Sequence, residues 1–332
     1  MNPKGTLLFT RSDVAALLDL GECIEAVEEA FRLLGEGRIE PARTLGFAET
    51  GGGFHIKAGS LPLGPRRYFA AKLNGNFPEN PRRLGLPAIQ GAVLLCDAAN
   101  GYPLAIFDSI EITIRRTGAA TAVAAKYLAR EDARTAAIFG CGNQGRIQLA
   151  AVSRVRRLDR ARAFDLDRDA AAAFAETMSG ELGIPVEAAA DPAEAALSSD
   201  IVVTCTPSRK PFLRADDIRP GTFVAAVGAD SPDKQELDPA ILAAATVVAD
   251  NLDQCASIGE LHHALDAGLI SKSAVHAELS DLAAGRNRGR SSPEEITLFD
   301  STGTALQDAA AAARIYEKAS REGWHRTLDL AG

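Results

Sequence analysis

Apolar positions between Ser12 and Leu34 (Val14, Leu17, Leu18, Ile24, Val27, Phe31 and Leu34) recur at helical spacing and predict two helices, the first capped by Ser12. From Arg38 to Phe107 the pattern shortens to strand-like runs, GFAET, FHIKAG, YFAAKLNG and AVLLCDA, broken by GGG, PLGP, NPRR and NG. These predict a sheet of hairpins and meanders. Residues 110–128 read as a long Ala-rich helix. Beyond Thr135, the apolar runs TAAIFG, RARAFDLD, DIVVTCT, FVAAVGA and TVVAD alternate with helical stretches, the signature of a parallel, doubly wound sheet. The closing GTALQDAAAAARIYEKASREG is an amphipathic helix expected to return to the first domain. The fold class is therefore α/β. One domain is expected over residues 1–115 together with 305–332, and the other over 116–304.

Composition narrows the partners. With 46% hydrophobic and 24% charged residues the chain has a globular balance, and a net charge of −8 leaves no basic excess for holding nucleic acid. No window approaches a membrane span, and MNPKGTLLFTRSDV holds no apolar stretch of signal-peptide length. The five cysteines are scattered, without metal-ligand spacing. A reduced, cytoplasmic protein without a metal is expected.

Gly140, Gly142 and Gly145 belong to GCGNQG, a GxGxxG directly after the strand TAAIF and before the helical RIQLAAVSRV. In that setting the first glycine permits the tight turn and the second lets backbone approach a pyrophosphate. The third lets the helix pack on the strand. Asp165 ends the next strand, about 20 residues further on, where an acid accepts hydrogen bonds from an adenosine ribose. The bland alternative is a glycine turn without a ligand. The combined spacing favours a Rossmann dinucleotide-binding domain and NAD, with NADP kept open by the nearby Arg162 and Arg168.

Two cations stand in apolar surroundings. Lys72 lies in a strand-like run, and Arg116 is placed at the start of the Ala-rich helix, where a helix N-terminus would add to their preference for a carboxylate. Asp230 follows the strand FVAAVGA, at the carboxyl end of the sheet where ligands of doubly wound folds bind. It suits a general acid or base, with an Asx turn before Pro232 as the structural alternative.

The segments KLNGNFPEN, LPAIQGAVLLCDAANGYPLA, RRTGAATAVAAKYLA, GCGNQG, VGADSPDKQEL, GELHHAL and EEITLFDSTGTALQDAA resemble the ornithine cyclodeaminase and mu-crystallin family, which includes alanine dehydrogenases and imine reductases. The resemblance covers nearly the whole chain. It implies an N-terminal α/β domain that binds substrate and forms a homodimer, followed by the Rossmann domain. It also implies that Arg43, Lys72 and Arg116 hold the substrate carboxylate, with Arg116 also near the nicotinamide. Asp230 would be the catalytic carboxylate, with Lys72 beside it in the catalytic set. Asn143, Gln144, Asp165, Thr206, Lys234 and Ser301, with Val227 and Gly228, would touch the dinucleotide, and Thr302 the substrate. A Thr of the cyclodeaminase cofactor pocket is replaced here by Ala88.

In the family's cyclodeaminases an acidic residue meets the terminal amine of ornithine; the matching position here is Gly59. Lys57, two residues earlier, falls on the same face of the strand and suits an acidic substrate side chain. The alternative is a Lys guarding an edge strand. The expected function is an NAD-dependent imine reductase or amino-acid dehydrogenase acting on an amino or imino acid, with an iminosuccinate and aspartate pair as one candidate. An ornithine cyclodeaminase and a non-catalytic crystallin-like binder of NAD(P)H stand as alternatives. His55 stays ambiguous; His262, His263 and Cys141 are given no role.

Overall fold

The computed structural model describes residues 5–324 and 326–330. Strand β1 (Thr6–Phe9) leads into α1 (Arg11–Leu17). Thr10 caps this helix: its hydroxyl accepts from the Asp13 amide at 3.4 Å, and the Asp13 carboxylate accepts from the Thr10 amide at 2.8 Å. Ser12, the expected cap, sits inside the first turn because Thr10 is two residues closer to the strand and has the reciprocal acid at the right distance. Helix α2 (Leu20–Gly35) begins at Asp19, which accepts from the Gly21 and Glu22 amides, and buries Cys23, Ile24, Val27 and Phe31.

The next strands form an antiparallel meander: β2 (Arg43–Glu49), β3 (Gly52–Leu63), β4 (Arg66–Asn76), a short helix α3 (Asn80–Leu84), β5 (Ile89–Asp97) and β6 (Pro103–Asp108). Alternation divides its residues between two faces. Tyr68, Ala70, Lys72, Val93 and Leu95 point to the buried face. Leu45, Phe47, Phe54, Phe69, Leu73 and Leu94 point to the other, and each is exposed. Helix α4 (Ser109–Leu128) follows, its first amides held by the Asp108 carboxylate.

The second run alternates strand and helix. It comprises β7 (Thr135–Phe139), α5 (Asn143–Val155), β8 (Arg160–Phe164), α6 (Arg168–Leu182), β9 (Val186–Ala188), α7 (Pro192–Leu197) and β10 (Ile201–Thr204). After β11 (Arg209–Leu213) come β12 (Phe223–Ala226), β13 (Gln235–Leu237), α8 (Pro239–Ala244), β14 (Thr246–Ala249), α9 (Leu252–Ile258) and α10 (Glu260–Asp266). It closes with β15 (Ala277–Glu278), α11 (Leu279–Ala283) and β16 (Thr297–Asp300). The sheet order is β15-β14-β16-β12-β10-β7-β8-β9, parallel throughout. With crossover helices between its strands it is a Rossmann-type sheet, and its central strands β7, β10, β12 and β16 are buried on both faces because both are covered.

Helix α12 (Ala305–Arg321) packs on β3, β4 and α2, and β17 (Thr327–Leu328) pairs with β1. The first sheet thus runs β17-β1-β6-β5-β4-β3-β2, with β2 at its edge. Contacts divide the described chain into two units, one up to Arg116 and again from Thr304, the other from Thr117 to Gly303. Arg116 therefore groups with Lys72.

Candidate functional site

The glycine loop joins β7 to α5. Gly140 adopts φ +101°, and a Cβ there would meet the Cys205 carbonyl at 2.9 Å. A Cβ on Gly145 would lie 2.1 Å from the Gly140 carbonyl oxygen, so only glycine lets α5 pack this closely on the turn. A Cβ on Gly142, by contrast, would meet nothing within 4 Å, and this residue caps α5 without a side chain. An open helix N-terminus of this kind is suited to an anion. Asn143 is exposed and Gln144 half-buried in the first turn of α5. Cys141 is buried, and burial with nearby Asp165 pushes its thiol up to about 12, away from the reactive thiolate.

β8 ends at Phe164, one residue short of Asp165. The Asp165 carboxylate accepts the Cys141 amide at 2.8 Å and the Asp167 amide at 3.0 Å. The acid is thereby tied to the glycine loop at the mouth of a cavity of about 470 Å³ lined by Gly140, Phe164, Leu166, Thr206, Pro207 and Phe212. A largely apolar slot with one anchored carboxylate at its rim fits an adenosine.

Glu236 was invisible as a site residue in the sequence, yet it organises this region. Fully buried, its Oε1 accepts the Thr206 amide at 2.6 Å and the Thr206 hydroxyl at 2.7 Å, while its Oε2 accepts the Thr204 hydroxyl at 2.7 Å and the Gly228 amide at 2.9 Å. Two loops assigned to the dinucleotide are thus fixed by one carboxylate. Burial drives Glu236 above its ordinary range against the pull of these donors. Its own backbone amide is accepted by Glu260 at 2.6 Å, and Asp300 accepts the Glu260 and Leu261 amides at 3.3 and 2.9 Å. Burial pushes Asp300 up to about 7. Val227 takes no side-chain bond; its amide continues the ladder to the Thr204 carbonyl.

Asp250, buried beneath residues 301–303, accepts the Ser301 hydroxyl at 3.3 Å, the Thr302 hydroxyl at 3.0 Å and the Gly303 amide at 2.6 Å. The Gln254 amide donates to Thr302 Oγ1 at 2.8 Å. The Thr302 hydroxyl is therefore already engaged within its own unit. Asp230 lies four residues beyond β12 with half its side chain exposed, and Lys234 Nζ is 2.5 Å from its Oδ1. Two residues given separate roles by sequence form an ion pair. His263 Nε2 bonds the Lys234 carbonyl at 2.7 Å, and His262 pairs with Asp266 at 3.1 Å. Among the described residues no group of three His, Cys, Asp or Glu could hold a metal.

In the first unit the polar centre is Asp308, on α12. Lys72 Nζ is 2.8 Å from both its carboxylate oxygens, with the hydrogen bond to Oδ1, and Arg116 Nε donates to the same Oδ1 at 3.0 Å. Arg116 also donates from a terminal nitrogen to Gln307 Oε1 at 2.7 Å, and Lys72 to Thr113 Oγ1 at 3.2 Å. Lys57 stands directly across from Lys72 in the β3–β4 ladder. Like charges facing each other across strands repel, and Asp308 is the anion answering them. Burial pulls the Lys72 ammonium down to about 7, Arg116 and Lys57 pull the same way, and Asp308 resists. Burial also works to raise Asp308, but Lys72, Arg116 and Lys57 outweigh it and hold the carboxyl below its ordinary value.

The structure corrects the expected position of Arg116 and sets the strand faces of Arg43 and Lys57. Arg116 is the eighth residue of α4, two turns past its start at Ser109, so the N-terminus of its own helix adds nothing at its guanidinium. Arg43 pairs with Ala58, one position out of phase with Lys57, so alternation turns its Cβ to the opposite face. Among the described contacts none joins Arg43 to Lys72 or Arg116. Lys57 is not an edge residue: β3 is paired on both sides and Lys57 is half-buried. Gly59 shares its face, where an added Cβ would meet Leu306 at 3.0 Å. His55 lies on that face too, across from Asn74.

The sequence profile of the ornithine cyclodeaminase/mu-crystallin family matches residues 4–323, and the chain belongs to that family. It is 40% identical to the alanine dehydrogenase of Archaeoglobus fulgidus over 95% of each chain. A solved archaeal alanine dehydrogenase dimer with bound NAD superposes with a TM-score of 0.92 at 38% identity, covering 98% of this chain and 99% of that one. The iminosuccinate reductase of Paracoccus denitrificans in complex with NAD+ superposes with a TM-score of 0.88 at 31% identity, over 96% and 98%. Among the described residues no helix is long and apolar enough to cross a membrane.

Proposed function

We propose that this chain is an NAD-dependent imine reductase, equally an amino-acid dehydrogenase, that interconverts an α-imino acid and an L-amino acid, with a dicarboxylic substrate favoured. The observation that carries the reading is the cluster in which two buried cations, Lys72 and Arg116, share the buried carboxylate Asp308, with Lys57 across the ladder from Lys72. Buried cations in excess of their counter-ion attract an anion, and Arg116 can present paired N–H donors to a carboxylate. Lys57, opposite Lys72 on the same face of the sheet, adds positive charge beside the clamp and so favours a substrate with a second carboxylate. A cyclodeaminase needs an acid for the substrate amine, and the matching position holds Gly59 beside a lysine.

The residues of the second unit fit a dinucleotide: Gly142 and the first turn of α5 for the pyrophosphate, and Asp165 for the ribose hydroxyls. Thr206, Val227, Gly228, Lys234 and Ser301 belong to the loops near it. Arg162 is paired with Glu194 at 2.9 Å, so it is not a free partner for a 2′-phosphate, which supports NAD over NADP. The nicotinamide supplies the hydride acceptor or donor. Lys72 and Arg116 hold the α-carboxylate and so orient the imine, a contribution that lowers the entropic barrier. Arg43, on edge strand β2, joins them only by reaching round the sheet edge. Asp230, paired with Lys234, accepts or returns the proton on the amine nitrogen. The exposed apolar face of Leu45, Phe47, Phe54, Phe69, Leu73 and Leu94 supports a homodimer, the assembly of the archaeal relative.

The test follows NADH oxidation with ammonia and pyruvate, oxaloacetate or 2-oxoglutarate, and with cyclic imino acids. Fastest turnover with oxaloacetate, lost selectively in Lys57→Met, is expected. Equal use of pyruvate and oxaloacetate would remove the dicarboxylic preference. Proline and ammonia formed from ornithine with catalytic NAD would replace the reductase by a cyclodeaminase.

A further inference from the structure

The reading of Lys72 and Arg116 as a carboxylate clamp leaves one buried group without a purpose. Gln307 is 1% exposed, its carbonyl oxygen accepts from Arg116 at 2.7 Å, and its amide nitrogen has no partner. An orphaned buried donor is costly, on the order of 1–3 kcal/mol, so a native position that keeps one invites a ligand. The Arg116 bond fixes which end of the amide is oxygen and therefore leaves the N–H₂ as the free end.

Gln307 is also the third residue of α12. The cap residue of that helix, Thr304, makes no side-chain bond to the first turn, and its hydroxyl is buried without a partner. The helix dipole adds a partial positive charge at this end. An uncapped N-terminus, an orphaned amide and two cations on the neighbouring residues describe a site for a carboxylate anion.

We infer that Gln307 is a substrate-binding residue, its amide N–H₂ donating to the carboxylate that Lys72 and Arg116 attract, while its carbonyl keeps Arg116 in place. This rests on the clamp reading, and it adds a neutral donor to a site otherwise made of ions. Such a donor distinguishes a planar carboxylate acceptor from a simple inorganic anion by direction rather than by charge.

The test is calorimetric titration of malonate into the full-length protein, with thermal melting of each variant as a folding control. Lys72→Met should abolish binding, which establishes the clamp. Gln307→Leu and Gln307→Met should each weaken malonate about tenfold or more, the size of a lost hydrogen bond to an ion. Gln307→Glu preserves the acceptor for Arg116 but replaces the donor with an anion, and should bind more weakly than either neutral variant. If Gln307→Glu binds like the wild type while the neutral variants are weakened, Gln307 only positions Arg116 and the inference falls with the clamp intact. If Lys72→Met binds malonate as well as the wild type, the clamp itself is wrong, and the inference falls with it.

Discussion

Lys72 Nζ lies 2.8 Å from both carboxylate oxygens of Asp308, and both side chains are almost wholly buried. The unfolded ammonium titrates near 10.5, whereas burial brings it to about 7 in the fold against the pull of Asp308. Between those values the unfolded chain binds more protons, so this group's contribution to stability rises with pH from about 7 to 10.5. Anion binding runs the other way, because only the protonated amine attracts a carboxylate.

The inhibition constant of malonate, which does not react, should therefore rise about tenfold per pH unit above about 7. Competition against the imino substrate between pH 6 and 9 measures it. In Lys72→Arg the rise should vanish from this range, since guanidinium stays charged. A flat profile in the wild type would assign the binding charge to other residues.

Replacing Asp308 leaves Lys72 and Arg116 buried without their anion. Removing one partner of a buried pair costs about 3–5 kcal/mol, so Asp308→Asn should melt well below the wild type. Added malonate should restore part of the loss, because it supplies the missing charge. Melting curves with and without malonate decide this. No rescue would mean that Asp308 serves packing alone.

The sequence showed the parallel sheet, the glycine loop and the meander because each rests on local periodicity and turn chemistry. Lys72 and Arg116 were legible as cations in apolar runs. Asp308 was not, since one acid in an Ala-rich helix reads as a solvent-facing position. The signal lay in ALQDAAAAA, where apolar residues on every side of the helix leave no exposed face for Gln307 and Asp308. Glu236 escaped for another reason: its four donors come from Thr204, Thr206 and Gly228, and only tertiary structure brings these around it. That the Cβ of Arg43 turns to the face opposite Lys57 was not legible, because register, fixed by the β2–β3 hairpin, cannot be counted from spacing alone.

Asp165 should set cofactor choice. With its carboxylate tied to the Cys141 amide, Asp165→Ala loses both the ribose acceptor and the repulsion of a 2′-phosphate. NADH should weaken about 10- to 100-fold, and the NADH-to-NADPH ratio of kcat/KM should fall by at least as much. An unchanged ratio would place the ribose elsewhere.

Glu236→Gln retains one acceptor oxygen but turns an N–H₂ toward donors on the other side, Thr204 and Gly228. A loss of about 1–3 kcal/mol in stability is expected from the orphaned amide. If Glu236 positions the cofactor loops, the KM for NADH should rise about tenfold while kcat at saturating NADH holds. A lower melting temperature with unchanged NADH binding would reduce Glu236 to a packing role.

The exposed face of the meander makes the last prediction. Leu45, Phe47 and Leu73 are each about half exposed, and together with Phe54, Phe69 and Leu94 they form one apolar surface larger than the scattered residues of a monomer. A second copy of the same face would bury it with two-fold symmetry, so that every contact occurs twice, residue i of one copy on residue j of the other and the reverse. Sedimentation should then report about twice 34.9 kDa. Phe47→Glu places a charge on both sides of that axis at once, so the repulsion is doubled and the particle should fall to the single-chain mass. Lys72 points to the opposite, buried side of the meander, where it shares Asp308 with Arg116, so the monomer should still bind malonate if the clamp is complete within one chain. A monomer that no longer binds malonate would show that the clamp depends on the assembled dimer; a wild type sedimenting at the single-chain mass would leave the apolar face without this partner.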